Sequence, residues 1–326
     1  MPGALGALRR RLYTPKVIET RIETRGFHFK DVAARDNLET VGASFLEGFG
    51  NAAEVSVADD VHQLLGKIPT RYRGFANEGA AMAFALRDAL PMGRHDHLSR
   101  YLVSGGDAHV YMALIGAGWA MARLPRMLWS RVMPSDPLLN WLALDGYGFH
   151  QAYFHTGRYV HDHYRDDGFR WPADRTGQYA NRAIDLGIGR ALWFVGGSDA
   201  TVVAELVEGY PAGRRADLYS GVGLAATYAG GAGEEELHQL LERAGEHGPQ
   251  VAQGAAFAAS ARVRAGLVVP HNEIGNRALC GLTTADAAAL CEREMPASAA
   301  VRGGTPAYER WRQGVAGQFV TLGRSK

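Results

Sequence analysis

The chain is poor in cysteine. Its 326 residues contain two, Cys280 and Cys291, which supply neither a disulfide framework nor a zinc-ligand pattern; they read as reduced, partly buried thiols. Long apolar runs are missing too. The longest uncharged candidate, VYMALIGAGWAMA at 110–122, has thirteen residues, whereas a bilayer-crossing helix needs about twenty. The opening MPGALGALRRRLYTP puts its arginines after a short run of small residues, the reverse of a secretory signal. These absences predict a cytoplasmic protein. No charge excess exists either: 35 basic and 34 acidic residues give a net charge of +1. No sustained basic tract follows the first dozen residues, which argues against nucleic-acid binding. Strand signals are scarce, since only PKVIETRIETRGFHF at 15–29 alternates, weakly, as a strand or an extended arm would.

What abounds is glycine, with 41 residues, about twice average usage. Much of it falls in one recurring element: glycine, any residue, glycine or alanine, then an alanine- and aromatic-rich helical run. The leading glycines are Gly79, Gly116, Gly146, Gly187, Gly221 and Gly254, spaced 37, 30, 41, 34 and 33 residues apart. A period near 35 accommodates two helices and two loops. SDATVVAELVEGYP and EEELHQLLERAGEH fit the second helix of two units, the latter with acidic residues in its first turn. A glycine inside a helix costs about 1 kcal/mol against alanine, so its repetition implies close helix–helix approach. Residues two apart lie about 200° apart on a helix. Such a pair lets one helix be crowded from two sides, as an inner layer would be. The sequence therefore predicts an all-α fold: an array of about six helical hairpins over residues 36–326, as an open solenoid or a closed toroid. A short irregular or extended arm occupies residues 1–35.

Candidate chemistry is thinner. Residues 143–172, ALDGYGFHQAYFHTGRYVHDHYRDDGFRWP, hold four of the twelve histidines. No two of them have the i, i+4 spacing of helical co-ligands, and HExxH is absent, so no metal and no cofactor is expected. Phosphate-binding glycine loops, a nucleophile elbow and aspartate-rich metal motifs are likewise missing. On a helix covering this stretch, Arg158 and Asp162 stand as a surface ion pair, and Phe169 and Trp171 either clamp a ligand or cover the end of a repeat. The residues before the leading glycines include Glu78, Asp145, Ser220 and Gln253, polar positions in apolar surroundings that would converge on a cavity. Glu78, Asp145, His150 and Tyr153 are the candidates for proton transfer. Arg73, Gln151, His155, Trp193, Ser220 and Gln253 are candidate ligand contacts, and an arginine of TRYRGF would pair with Glu78.

Several segments carry a family resemblance: GFHFK, RYRGFANEGAAMAFAL, LLNWLALDGYGFHQAYFHTGRYV, RAIDLGIGRALWFVGG and RRADLYSGVGLAATYAGG. Together they resemble the bacterial family called domain of unknown function 1702 (DUF1702), from the N-terminus to near residue 319. Its members are encoded in enediyne antibiotic clusters beside an iterative polyketide synthase. The resemblance implies a role in forming or handling the enediyne core. The expected ligand is a hydrophobic polyene-type intermediate, on which the protein would act as a cyclase or isomerase. Alternatives are a non-catalytic carrier and a helical scaffold docking the synthase or other pathway proteins. A homodimer is the default expectation.

Overall fold

The computed structural model describes residues 4–91 and 94–324. In chain order its helices are α1 (Ala4–Tyr13), α2 (Ile22–Arg25), α3 (Val32–Glu54), α4 (Val61–Leu65), α5 (Thr70–Ala89) and α6 (His97–Val103). Then come α7 (Val110–Arg123), α8 (Trp141–Phe154), α9 (Ala180–Val195), α10 (Ala200–Glu208) and α11 (Ala212–Ala229). The last are α12 (Glu234–Ala244), α13 (Gly248–Arg264), α14 (Pro270–Cys280), α15 (Thr284–Glu294) and α16 (Ala307–Arg324). Among the described residues no strand forms, and the pairing of Arg302 with Thr305 is an isolated bridge. No helix among them is long and apolar enough to cross a membrane.

The all-α hairpin array anticipated from the glycine period is what forms. Helices α3, α5, α7, α8, α9, α11, α13 and α15 each pack on the next as an inner layer. Helices α10, α12 and α14 pack on one another and on that layer, with α9/α10 and α13/α14 as packed hairpins and α12 lying on α13. In the first half the outer partner shrinks to α4, α6, a 3₁₀ segment at Arg126–Arg131 and a π turn at Gly157–His161.

Glycine sets the layer spacing. A β-carbon on Gly116 would run into the Glu78 carbonyl of α5, and one on Gly118 into the Ala143 carbonyl of α8. Gly146 and Gly148 abut Ile115 and Ile184; Gly187 and Gly189 abut Asp145 and Leu218; Gly221 and Gly223 abut Leu186 and Val251. In every pair the first glycine faces the preceding inner helix and the second faces the following one. The 200° offset is used as the sequence implies. Large side chains then fill the layer above and below these crossings, with Phe49, Phe84, Leu144, Ile188, Trp193 and Leu218 fully buried.

Packing this close also buries helix ends, whose last carbonyls need donors. Arginines supply them. Arg87 donates to the carbonyls of Ala52 and Val55 at the end of α3, and Arg131 to those of Ala89 and Leu90 at the end of α5. Arg262, itself fully buried, donates to the Tyr228 carbonyl near the end of α11.

The arm differs in detail from expectation. The 15–29 segment forms neither strand nor fully extended chain, but a 3₁₀ turn at Val17–Thr20 followed by α2. Gly26, at φ 66°, ends α2 in the left-handed conformation. Ile22 and Phe27 are buried, five residues apart, a spacing that breaks strand alternation. The arm crosses the ends of the inner helices. Arg25 donates to the Tyr153 and Phe154 carbonyls of α8, the His28 amide to the Val195 carbonyl of α9, and Lys30 to the Gly231 carbonyl after α11.

Gly187→Ala should lower unfolding free energy by at least about 2 kcal/mol, because the obstacle is backbone and cannot move aside. Gly187→Leu and Gly221→Leu should prevent folding. Gly213→Ala, in α11 where nothing lies within 4 Å, should instead gain up to about 1 kcal/mol. Denaturant titration of the four variants is the measurement, and unchanged melting of Gly187→Leu would refute the glycine argument.

Candidate functional site

Helices α3, α5, α7, α8, α9 and α11 surround a cavity of about 490 Å³. The C-terminal end of α11 returns to α3 and α5: Asn37 donates to the Ala229 carbonyl, and Phe75 meets Tyr228 edge-on at 5.1 Å. The walls are mainly aromatic and aliphatic, from Phe45, Phe75, Met82, Trp119, Phe149, Phe194, Leu224 and Tyr228. Pro15, Glu19 and Thr20 of the arm complete them. Met82, Trp119, Phe149, Arg190 and Leu224 occupy one repeated position, three residues after the leading glycine. The fold thus aims the same register of five successive inner helices at one space.

At this lining sits a buried charged cluster. Glu78 is 2% exposed, and its Oε1 has no hydrogen-bond partner. Arg190 reaches it at 3.8 Å but is committed to Asp145, whose Oδ1 accepts from Nη1 at 2.5 Å. The Trp119 indole N–H is turned toward the Glu78 carboxylate without closing a hydrogen bond. Two carboxyl groups therefore share one guanidinium. Burial pushes Glu78 up to about 7; Arg190 opposes the rise and Asp145 adds to it. Burial also raises Asp145, against the pull of Arg190. The stronger claim on the arginine leaves Asp145 the better-supported anion and Glu78 the group that takes the proton. Tyr228 lines the same cavity with a buried hydroxyl that lacks a partner.

His150 and Tyr153 also face the cavity, as does the exposed His155 at its rim. Burial drives His150 down to about 3, and the nearby Arg123, His155 and Arg25 push the same way. It is a neutral imidazole, set edge-on to Trp119 at 5.5 Å. Burial raises the Tyr153 phenol, so it too stays neutral. Asp145 stands one turn behind the wall, with Arg190 between it and the space.

The remaining candidates are placed elsewhere. Arg73 donates to the Ile68 and Gly66 carbonyls and fixes the turn before α5; the partner of Glu78 is Arg190, not an arginine of TRYRGF. Ser220 donates to Gln253 at 2.7 Å, closing the α11–α13 contact. Trp193 donates to the Gly230 carbonyl. Gln151 turns away and donates to the Tyr147 and Tyr159 hydroxyls. The surface pair of Arg158 with Asp162 does not form: α8 ends at Phe154, and the π turn that follows lays Arg158 over the Tyr164 ring at 3.6 Å. Phe169 and Trp171 are buried and cover the end of the unit. Sequence reasoning missed Arg190, Trp119 and Tyr228. Among the described residues no group of three or more His, Cys, Asp and Glu side chains is arranged to hold a metal ion.

The Glu78 shift fixes a pH dependence. Its folded pKa of about 7 exceeds the ordinary 4.5, so the folded state holds the proton more tightly. The stability tied to that proton is complete below about 4.5 and is lost as pH rises through about 7. Glu78→Gln carries no such proton. From pH 4.5 to 8 the variant should therefore gain on the wild type by on the order of 3 kcal/mol. Urea titrations across that range would show it, and a constant gap would remove the argument for a protonated Glu78.

No curated protein and no solved structure matches the chain significantly. Residues 4–319 match the family described as "Protein of unknown function (DUF1702)". With nearly its whole length matched, the chain belongs to the DUF1702 family.

Proposed function

We propose that the protein binds a hydrophobic polyene-type intermediate in the central cavity and moves protons on it, as an isomerase or cyclase in enediyne biosynthesis. The pathway comes from the family resemblance; the site supplies the chemistry. The observation that carries the reading is Glu78: a buried carboxyl group with an unpartnered oxygen, protonated near neutrality, in an aromatic chamber. A general acid works best when its pKa lies near the operating pH. The Glu78 proton adds to one end of a conjugated system, and a π pair becomes the new C–H bond. The cation left behind is delocalised along the chain and faces Trp119, Phe149 and Tyr228, whose ring faces stabilise positive charge. Bond rotation or ring closure follows, and a proton lost from a neighbouring carbon returns to the carboxylate. Atoms and electrons balance with no oxidant or reductant. Arg190 stabilises the transient Glu78 anion, and Asp145 positions Arg190. His150 and Tyr153, both neutral, present polar atoms without adding charge. In this reading residues 36–326 act as one repeat domain and residues 1–35 as its arm.

The apolar walls equally favour a carrier that holds the intermediate without changing it, and one residue separates the two. A pathway strain lacking the gene should accumulate the linear polyene, and the wild-type gene should restore the later product. Glu78→Gln should bind polyene with affinity unchanged within about threefold yet restore less than about 1% of product. His150→Ala should fold and also fail to restore product. Full restoration by Glu78→Gln would leave the carrier reading standing and end the catalytic one.

A further inference from the structure

The rim of the cavity carries positive charge that the proton chemistry does not use. Arg123, at the end of α7, and Arg158, in the π turn, have exposed side chains. Among the described residues neither has a carboxylate partner or a side-chain hydrogen bond. Arg158 is held in place by stacking on Tyr164. Arg25 spends its Nη atoms on Glu19 and the two α8 carbonyls, while its Nε is unpartnered. Phe154 and His155 line two spaces at once: the apolar cavity and an adjoining basin of about 480 Å³. The basin is otherwise bounded by Arg25, Gln151, Thr156, Gly157, Arg158 and Tyr159, with no carboxylate in its lining. The apolar cavity and this arginine-lined open basin thus meet at Phe154 and His155. Glu78 lines the same apolar cavity.

We infer that the ligand is an amphiphile that enters apolar end first and leaves an anionic head group, a carboxylate or a phosphate, in the basin between Arg25, His155 and Arg158, with Arg123 on the rim. This rests on the reading of the cavity as a polyene site and adds the polarity of the ligand. Guanidinium groups are weakly hydrated and match both oxyanions with paired N–H donors. The open basin leaves the head group partly in water, so no desolvated charge opposes binding. The arrangement also fixes direction: the head is anchored at the arginines, and the far end of the chain is carried toward the Glu78 proton.

Parinaric acid, a fluorescent conjugated fatty acid, and its methyl ester test this with purified protein. Wild type should bind the acid at least about fivefold tighter than the ester, and the preference should shrink as salt is added. The double variant Arg123→Gln/Arg158→Gln should bind acid and ester alike, with ester affinity unchanged. Equal affinity in the wild type, or a preference that survives in the double variant, overturns the inference while leaving the cavity reading intact. Failure of both probes to bind overturns both. Displacement of the bound acid by dodecyl phosphate, dodecanoate and dodecanol identifies the head. Phosphate best assigns a phosphate head and dodecanoate best a carboxylate, whereas dodecanol matching both overturns the inference.

Discussion

Backbone touching backbone across paired glycines is the contact on which the rest of this molecule depends. Four inner helices, α7, α8, α9 and α11, are pinched at one level by their two neighbours, with Gly146 and Gly148 of α8 held between α7 and α9. Helices held this close bury their termini, and the buried carbonyls recruit arginines from elsewhere in the chain. They also bury what lies next to the crossing, and that is where the polar residues are. Asp145 sits beside Gly146, Arg190 beside Gly189 and Glu78 beside Gly79. The charged cluster is therefore a product of the same packing that makes the layer.

The buried clusters that join carboxylates to arginines fall into two kinds. Asp185 pairs with Arg214, and Asp217 and Glu309 share Arg182 and Arg312. In both clusters carboxylates and guanidinium groups are equal in number, as burial demands if charges are to be matched. At Glu78, Asp145 and Arg190 the count is two acids to one base. This unmatched cluster is the one that borders the cavity. A structural pair gains by neutralising itself; a site that transfers a proton needs a carboxyl group left over.

The fold class and the two-sided crowding were legible because glycine spacing is a local signal. Half of the site was legible on the same stripe. The residue before each leading glycine and the residue four further on share a helix face, but in five of the six units the second lines the cavity while the first mostly lies a turn too deep. Glu78 reaches the space; Asp145, Ser220 and Gln253 do not. Trp119, Phe149 and Arg190 stand in the better register, and the period that located the glycines would have located them too. Other features had no local signature. The approach of Arg190 to Glu78 joins residues from α5 and α9, and no spacing rule reaches that far. The histidine-rich stretch misled for a different reason: its helix stops at Phe154, so angles projected beyond that point lose their meaning.

The arm that crosses the inner helices has a consequence for the order of assembly. Arg25 precedes the α8 carbonyls it caps by 128 and 129 residues, and Lys30 precedes the Gly231 carbonyl by 201. During synthesis the arm leaves the ribosome long before its partners exist, and a contact that closes so long a loop forms late. The same arm also packs on α3, where the Ile22 amide donates to Glu39. The segment that comes out first is thus seated early on α3 and tied last to α8 and α11.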